Sequence, residues 1–399
     1  MNDFLKMTLS PVILFVYNRP GHTQRTLEAL RNNYLAEETV LYIYSDGPKH
    51  NASKEQKEKI NEVRNIIRLK QWCKEVHIVE SDRNKGLADS IIAGVTEIIN
   101  RHGRVIVLED DIITSRGFLR YMNEALNIYQ DEEQVMHVSA YIYPHKYKTE
   151  NETLFLKILS CWGWGTWARA WKYYNHSLED HLKHFSTIDE IRKFNIHGHA
   201  DYYRQLELNY NNSAYTWAVR WYASWLYAGG ITLFPKTSLV ENIGFDKSGE
   251  NCLRPVNHFS TPVAEYIKVG KLDSISENLQ VRKDIDNFYK RIQPRKLRTK
   301  VSSLAQFLKV YSLFRNAKRI ISLIKNILSE STNWQIIISR AEESSFGRDV
   351  KILPTYQIYK SIIEDYSYVA RNSNILNTHI GRFCSIGPNF VSGLGIHPI

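Results

Sequence analysis

The chain reads as an α/β protein in three parts: a mostly parallel sheet covered by helices, a basic helical linker, and a short, incomplete parallel β-helix. Three observations carry this reading. Short apolar runs alternate with helical patterns from residue 12 to 108, a dense basic block begins near residue 282, and aliphatic residues recur at five- or six-residue steps towards the end. At 399 residues the chain exceeds one ordinary core. The changes of texture divide it at 1–260, 261–344 and 345–399.

The run Pro11 to Tyr17 predicts a buried strand over 12–17, since it is too short for a membrane span and lacks the flanks of a signal peptide. Helix 22–33, strand 39–44, helix 53–69, strand 76–80, helix 87–100 and strand 104–108 follow in the order of a parallel sheet with both faces covered. Residues 116–130 predict another helix and Val135 to Ala140 another strand. From 154 to 245 the chain is rich in aromatics. There Trp162-Gly163-Trp164-Gly165-Thr166-Trp167 is expected to form a stacking surface for an acceptor, with Trp162 and Trp164 as its contacts; a buried aromatic core is the competing reading.

The formal charge is +10, and Arg282 to Lys325 holds thirteen Lys or Arg against two Asp, so the remainder is near neutral. Within this block Leu304, Phe307, Tyr311, Phe314, Ile321, Ile324 and Leu328 recur at three- and four-residue steps or their sums, which predicts a basic amphipathic helix or helix pair. Such a helix packs on a domain, rests on an anionic membrane surface, or does both. It carries no recognisable nucleic-acid module, so nucleic acid is not expected as a partner. Cys73, Cys161, Cys252 and Cys384 have neither metal nor disulfide spacing, as suits a reducing compartment. The expected location is the cytoplasm, with peripheral attachment to the inner face of the membrane.

The chemistry gathers where the predicted sheet strands end. Asn18-Arg19-Pro20 follows the first strand, Ser45-Asp46-Gly47-Pro48 the second, Asp82-Arg83-Asn84-Lys85-Gly86 the third and Glu109-Asp110-Asp111 the fourth. In an open α/β sheet ligands bind beyond the carboxyl ends of the strands. Packed acids there suit Mg²⁺ or Mn²⁺ held against a diphosphate, with Asp111 on the cation. Arg19 and Lys85 are placed to neutralise phosphate, and Asp46 to accept hydrogen bonds from a base or ribose.

The ordered series Phe15-Val-Tyr-Asn-Arg-Pro, Ser45-Asp46-Gly47, Asn84-Lys-Gly-Leu, Val107-Leu-Glu-Asp-Asp, Val138-Ser-Ala-Tyr, Cys161-Trp-Gly-Trp-Gly-Thr-Trp and Leu239-Val-Glu-Asn-Ile-Gly-Phe resembles GT-A fold glycosyltransferases over residues 10–255. The likeness is to bacterial relatives of N-acetylglucosaminyltransferase I. It implies a Rossmann-like GT-A domain and metal-dependent transfer of a sugar from a nucleoside diphosphate to a saccharide or polyprenyl-linked acceptor, in surface polysaccharide biosynthesis. Asp111 would contact the metal, while Arg19, Asp46, Glu109 and Asp110 would line the nucleotide and donor sugar.

An inverting enzyme of this kind also needs a carboxylate base near the acceptor hydroxyl. The family supplies it just after a Trp, where this chain reads Thr216-Trp217-Ala218-Val219-Arg220-Trp221. Glu241 is the preferred substitute, and Asp246, Asp201 and Glu207 are the other nearby acids; a retaining mechanism or a weakened enzyme are alternatives. His197 and His199 flank Gly198 but lack a third metal ligand.

Near the end Ile352, Ile358, Ile363, Val369, Ile375, Ile380 and Ile386 are placed to point inward from short strand faces. Gly381-Arg-Phe-Cys-Ser-Ile-Gly-Pro-Asn and Gly395-Ile-His-Pro resemble left-handed β-helix acyltransferases, in which a His at the position of His397 is the general base. Seven repeats make little more than two coils, so no acetyl transfer is expected of this polypeptide. An acyl-transferring or bifunctional enzyme and a non-catalytic scaffold remain the alternatives to a glycosyltransferase.

Overall fold

The computed structural model describes residues 8–246, 258–292, 340–353, 356–370, 373–388 and 390–392. The chain divides into two compact units, Met1–Ala305 and Gln306–Ile399. The expected basic helix over 301–328, and His397, lie outside the described residues.

In the first unit the strands β1 (Val12–Val16), β2 (Val40–Ser45), β3 (Glu75–Glu80) and β4 (Arg104–Glu109) alternate with the helices α1 (Pro20–Arg31), α2 (Lys54–Arg68) and α3 (Leu87–His102). Each helix has a local reason to start or stop. Pro20 opens α1, where its missing N–H is no loss. Ser53 and Gln56 form a reciprocal capping box before α2, and α3 ends on Gly103 at φ 76°. The chain continues through β5 (Ile112–Thr114), α4 (Phe118–Ile128), β6 (Val135–Ser139), β7 (Thr153–Leu156) and β8 (Trp164–Trp167). Then come α5 (Ala168–Trp171), α6 (Leu178–His184), α7 (Ile188–Phe194), α8 (Tyr202–Tyr210), α9 (Ala218–Tyr227), β9 (Ile231–Pro235), β10 (Val240–Asn242) and α10 (Leu279–Ile292).

Eight strands form one sheet in the order β3-β2-β1-β4-β8-β6-β9-β7. The first four are parallel, and β8 runs antiparallel between β4 and β6. Strand alternation decides which face each residue serves. Val12, Leu14 and Val16 of β1 pack with Leu27 and Leu30 of α1 and Val63 of α2, while Ile13 and Phe15 pack with Ile91 and Val95 of α3. Helix α3 approaches the sheet closely at Gly94, where a Cβ would lie 2.8 Å from Ile13 Cδ1 and 2.9 Å from Phe15 Cζ.

Residues 261–292, expected as the start of the linker, instead belong to this unit. The apolar stripe Val281, Ile285, Phe288 and Tyr289 of α10 joins the core on the α1–α2 face. Four of the fourteen residues of α10 are Lys or Arg, yet the apolar stripe decides where it sits.

In the second unit the short strands pair in parallel in three sheets, and each residue faces the one seventeen further on, as in Arg340 with Gln357, Ser345 with Ile362 and Lys351 with Tyr368. The inward positions are the aliphatic residues of the sequence period. Ile358, Ile363, Val369, Ile375 and Ile380 form the buried core, with Ile352 and Ile386 packed against it.

Beside β8, His137 of β6 is fully buried and stacked on Trp164 at 5.2 Å. Its Nδ1 accepts from Trp221 Nε1 at 3.2 Å, and its Nε2 donates to the Ser160 carbonyl at 2.9 Å, a pattern that fits the neutral ring. Burial pushes its pKa down to about 4 from the ordinary 6.5. Between these values the unfolded chain binds the proton and the folded chain does not, so stability falls as pH drops through that window. The His137 imidazole is expected not to titrate by NMR above about pH 5, and urea unfolding to show a smaller acid slope in His137→Gln; an unchanged slope would refute the assignment.

Candidate functional site

Because β1 to β4 are parallel, the segments after them meet on one rim of the sheet. Strand β6 runs the same way as β4 and β8 the opposite way, which brings residues 140–149 and 161–163 to that rim too. The residues singled out from the sequence fall there in two clusters.

In the first cluster Arg19, between β1 and α1, spans both aspartates after β4. Its Nη2 pairs with Asp110 Oδ1 and lies 3.0 Å from Asp111 Oδ2, and its Nε donates to Asp110 Oδ2 at 3.3 Å. Asp110 is 5% and Asp111 9% exposed. Burial lowers the Arg19 pKa, but the charges of Asp110 and Asp111 outweigh it and the net shift is upward. Burial raises Asp110 against the pull of Arg19. Enclosure, then the charges of Asp111 and Asp110, push Glu109 up to about 8. Arg19, expected against phosphate, here serves the two carboxylates.

A backbone clamp holds Asp111 from the other side. Strand β10 pairs antiparallel with β5, and Ile243 N–H donates to the Asp111 carbonyl at 2.9 Å. Gly244 then passes so close that a Cβ there would collide with Asp111 Oδ2 and lie 3.2 Å from Arg19 Nη1. His22, one helical turn on from Arg19, reaches Asp246 at 3.2 Å. His22 was missed from sequence, although its three-residue spacing from Arg19 on a helix was a signal for it.

The second cluster centres on Asp46. Its Oδ1 accepts from the N–H of Gly47 at 2.8 Å and of Lys85 at 2.9 Å; its Oδ2 accepts from Asn84 Nδ2 at 2.9 Å and the N–H of Gly86 at 3.0 Å. Four donors fill the carboxylate's usual sites. Asp46 thereby holds the loop before α3 in place. Lys85 is exposed on that loop.

Beyond the acids lies a cavity of about 260 Å³, lined among others by Tyr141, Tyr143, Cys161, Trp162, Phe245 and Tyr289. Phe245 follows Gly244, and Cys161 feels the charge of Glu109, so the cavity adjoins the acidic triplet. Trp162 lines it, set edge-on to Tyr141 at 4.4 Å. Trp164 does not. It is fully buried and stacked between His137 and Trp217, so an acceptor cannot reach it. Trp162 and Trp164 part company because Gly163, at φ 63°, turns the chain between them just before β8 begins.

Ala218 and Val219 also line this cavity, at the position where the family resemblance calls for a carboxylate. Glu241 is exposed on β10 opposite Ile113. His197 pairs with Asp286 at 2.6 Å, and no group of three His, Cys, Asp or Glu suited to a metal occurs among the described residues. Cys73, Cys161 and Cys384 are free thiols.

No protein-family model and no curated protein matches the chain. Among solved structures it is similar to TarS of S. aureus, at 13% identity and TM-score 0.27 over 39% of this chain and 28% of that one. The TarS 1–349 structure matches at 10% identity and TM-score 0.32, over 58% of this chain and 60% of that one. The apo form of mouse xyloside xylosyltransferase 1 matches at 10% identity and TM-score 0.32, over 57% and 84%. The chain thus spans less than two thirds of either TarS structure.

Asp46→Ala removes a charged acceptor from four donors, and is expected to lower the unfolding free energy by about 2–3 kcal/mol in urea. Faster amide exchange at Lys85 and Gly86 should accompany the loss. Wild-type exchange at those amides would show that the clasp does not order the loop.

Proposed function

We propose that the first unit is a glycosyltransferase that moves a sugar from a nucleoside diphosphate to a saccharide or lipid-linked acceptor. The observation that carries this is the Arg19–Asp110–Asp111 cluster, clamped by Gly244 at the carboxyl rim beside a cavity walled by tyrosines and Trp162. The ordered motif series of the sequence supports it.

The donor set is hard carboxylate oxygen, which fits Mn²⁺ or Mg²⁺ held by one or two acids together with phosphates and water. Asp111 would hold the cation, whose charge would offset that of the leaving diphosphate. Arg19 fixes the orientation of Asp110 and Asp111, and the loop that Asp46 braces presents Lys85 to the phosphates. Glu109 and Asp110 would face the donor sugar. In the transfer the bond from the anomeric carbon to the diphosphate breaks as the acceptor oxygen attacks, and the hydroxyl proton passes to a carboxylate, for which Glu241 is the candidate.

We further propose that the second unit forms coils of a left-handed parallel β-helix, which its seventeen-residue parallel register supports. No helix among the described residues is long and apolar enough to cross a membrane. Contact with an anionic membrane would therefore rest on the basic block, and flotation with anionic liposomes, lost at high salt, is its expected signature. Failure to float at low salt would remove that part of the reading.

The central test is hydrolysis of nucleotide sugars by the full chain. Hydrolysis should require Mn²⁺ or Mg²⁺ and fall at least about a hundredfold in Asp111→Ala. Cation-independent hydrolysis, or an Asp111→Ala variant as active as wild type, would overturn the proposal.

A further inference from the structure

Next to the aromatic cavity lies a larger one, of about 570 Å³, between the segment that leaves β6 and the last turns of α10. Both elements serve both cavities: Tyr143 and Tyr289 line the first, while His145, Lys146, Lys290 and Arg291 line the second. Asp284 is the carboxylate of this lining, and its Oδ2 accepts the N–H groups of Lys146 and Tyr147 at 2.7 Å each. It ties the segment to α10, so Lys146 is carried on a loop anchored against the helix that bears Lys290 and Arg291.

The charge of this wall is unlike that of the acidic rim. Lys146, Lys290 and Arg291 against Asp284 leave an excess of two positive charges, before any protonation of His145. Guanidinium and ammonium groups facing one space select phosphate, and an excess of two suits a doubly charged phosphate better than a single carboxylate.

We infer that this cavity receives a phosphate group of the acceptor, so that the acceptor is a phosphorylated saccharide. The inference rests on the sugar-transfer reading for its meaning, but the site itself stands on the cavity and its charge. The aromatic cavity would then hold the sugar to be extended, between the acids at one end and the phosphate subsite at the other. Polar ends on an aromatic middle explain why Asp284 braces a segment that carries no part of the acidic cluster.

The test is calorimetric titration of the full chain with inorganic pyrophosphate, with divalent cations chelated, and in parallel with galacturonate as a carboxylate probe. Pyrophosphate should bind saturably, at least about tenfold more weakly in K146E/K290E and with near-wild-type affinity in Lys290→Arg. Galacturonate should bind at least about tenfold more weakly than pyrophosphate. If the double variant fails to fold by circular dichroism, Arg291→Ala replaces it, with a severalfold loss expected. Wild-type affinity in the charge-altered variant, galacturonate binding as tight as pyrophosphate, or no pyrophosphate binding at millimolar concentration would each overturn the inference. The titration uses neither donor nor cation, so its failure is distinct from a failure of nucleotide-sugar hydrolysis.

Discussion

Three carboxylates leaving one strand repel one another, and two of them are almost wholly buried, so their ionised forms need a counter-charge at hand. Arg19 supplies it. A single guanidinium reaches both aspartates because its fork is planar and rigid, which a lysine at this position would not reproduce. The arrangement also fixes where α1 begins. Thr26, two turns along that helix, donates to the Asp110 carbonyl at 2.8 Å, so the helix and the acidic turn are joined by side chain and backbone alike. The β5–β10 pair closes the opposite side, and only a residue without a side chain passes between Asp111 and the solvent side of the clamp.

Much of this architecture was legible in the sequence, for a physical reason. The strands β1, β2 and β4 and the helices between them are read from periodicity because a sheet buried on both faces demands continuous apolar runs, whereas the edge strand β3 is partly exposed and shows only the short run Ile78-Val79 beside Val76. The core of the second unit was legible for a similar reason, since its buried positions are the aliphatic residues of the sequence period. What periodicity does not encode is the order of strands. Nothing in Trp164 to Trp167 announces that β8 runs antiparallel between β4 and β6, yet that insertion sends Trp164 into the core and leaves Trp162 at the rim. The same blindness misassigned α10. Its charges are counted by composition, while the four residues that dock it are counted only by a partner surface.

At the candidate site, position was legible and role was less so. A carboxylate after a parallel strand is equally able to meet a ligand or to clasp a loop, and the four donors around Asp46 show the clasp, which its sequence neighbours did not announce. Arg19 shows the same ambiguity, for a residue able to bind phosphate is equally able to bind two aspartates. Sequence reports which groups can interact, and geometry reports which have already done so.

The walls of the aromatic cavity bear on how an acceptor would lose its proton. Burial pushes the phenols of Tyr141, Tyr143 and Tyr289 well above their ordinary range, and the Cys161 thiol likewise, with Glu109 adding to the latter. These groups stay protonated near neutrality and offer hydrogen-bond donors and acceptors to a sugar, but no base. Ala218, where the family resemblance calls for a carboxylate, contributes a methyl group. Glu109 is itself pushed upward by burial and then by the two aspartates, and Asp110 is bound to Arg19. A proton leaving an acceptor in this cavity must therefore pass to an acid outside its wall. Glu241 on β10 and Asp246 beyond Gly244, paired with His22, are carboxylates on the segment that clamps Asp111, while Asp201 and Glu207 flank Tyr202 and Gln205 of α8, which line the cavity.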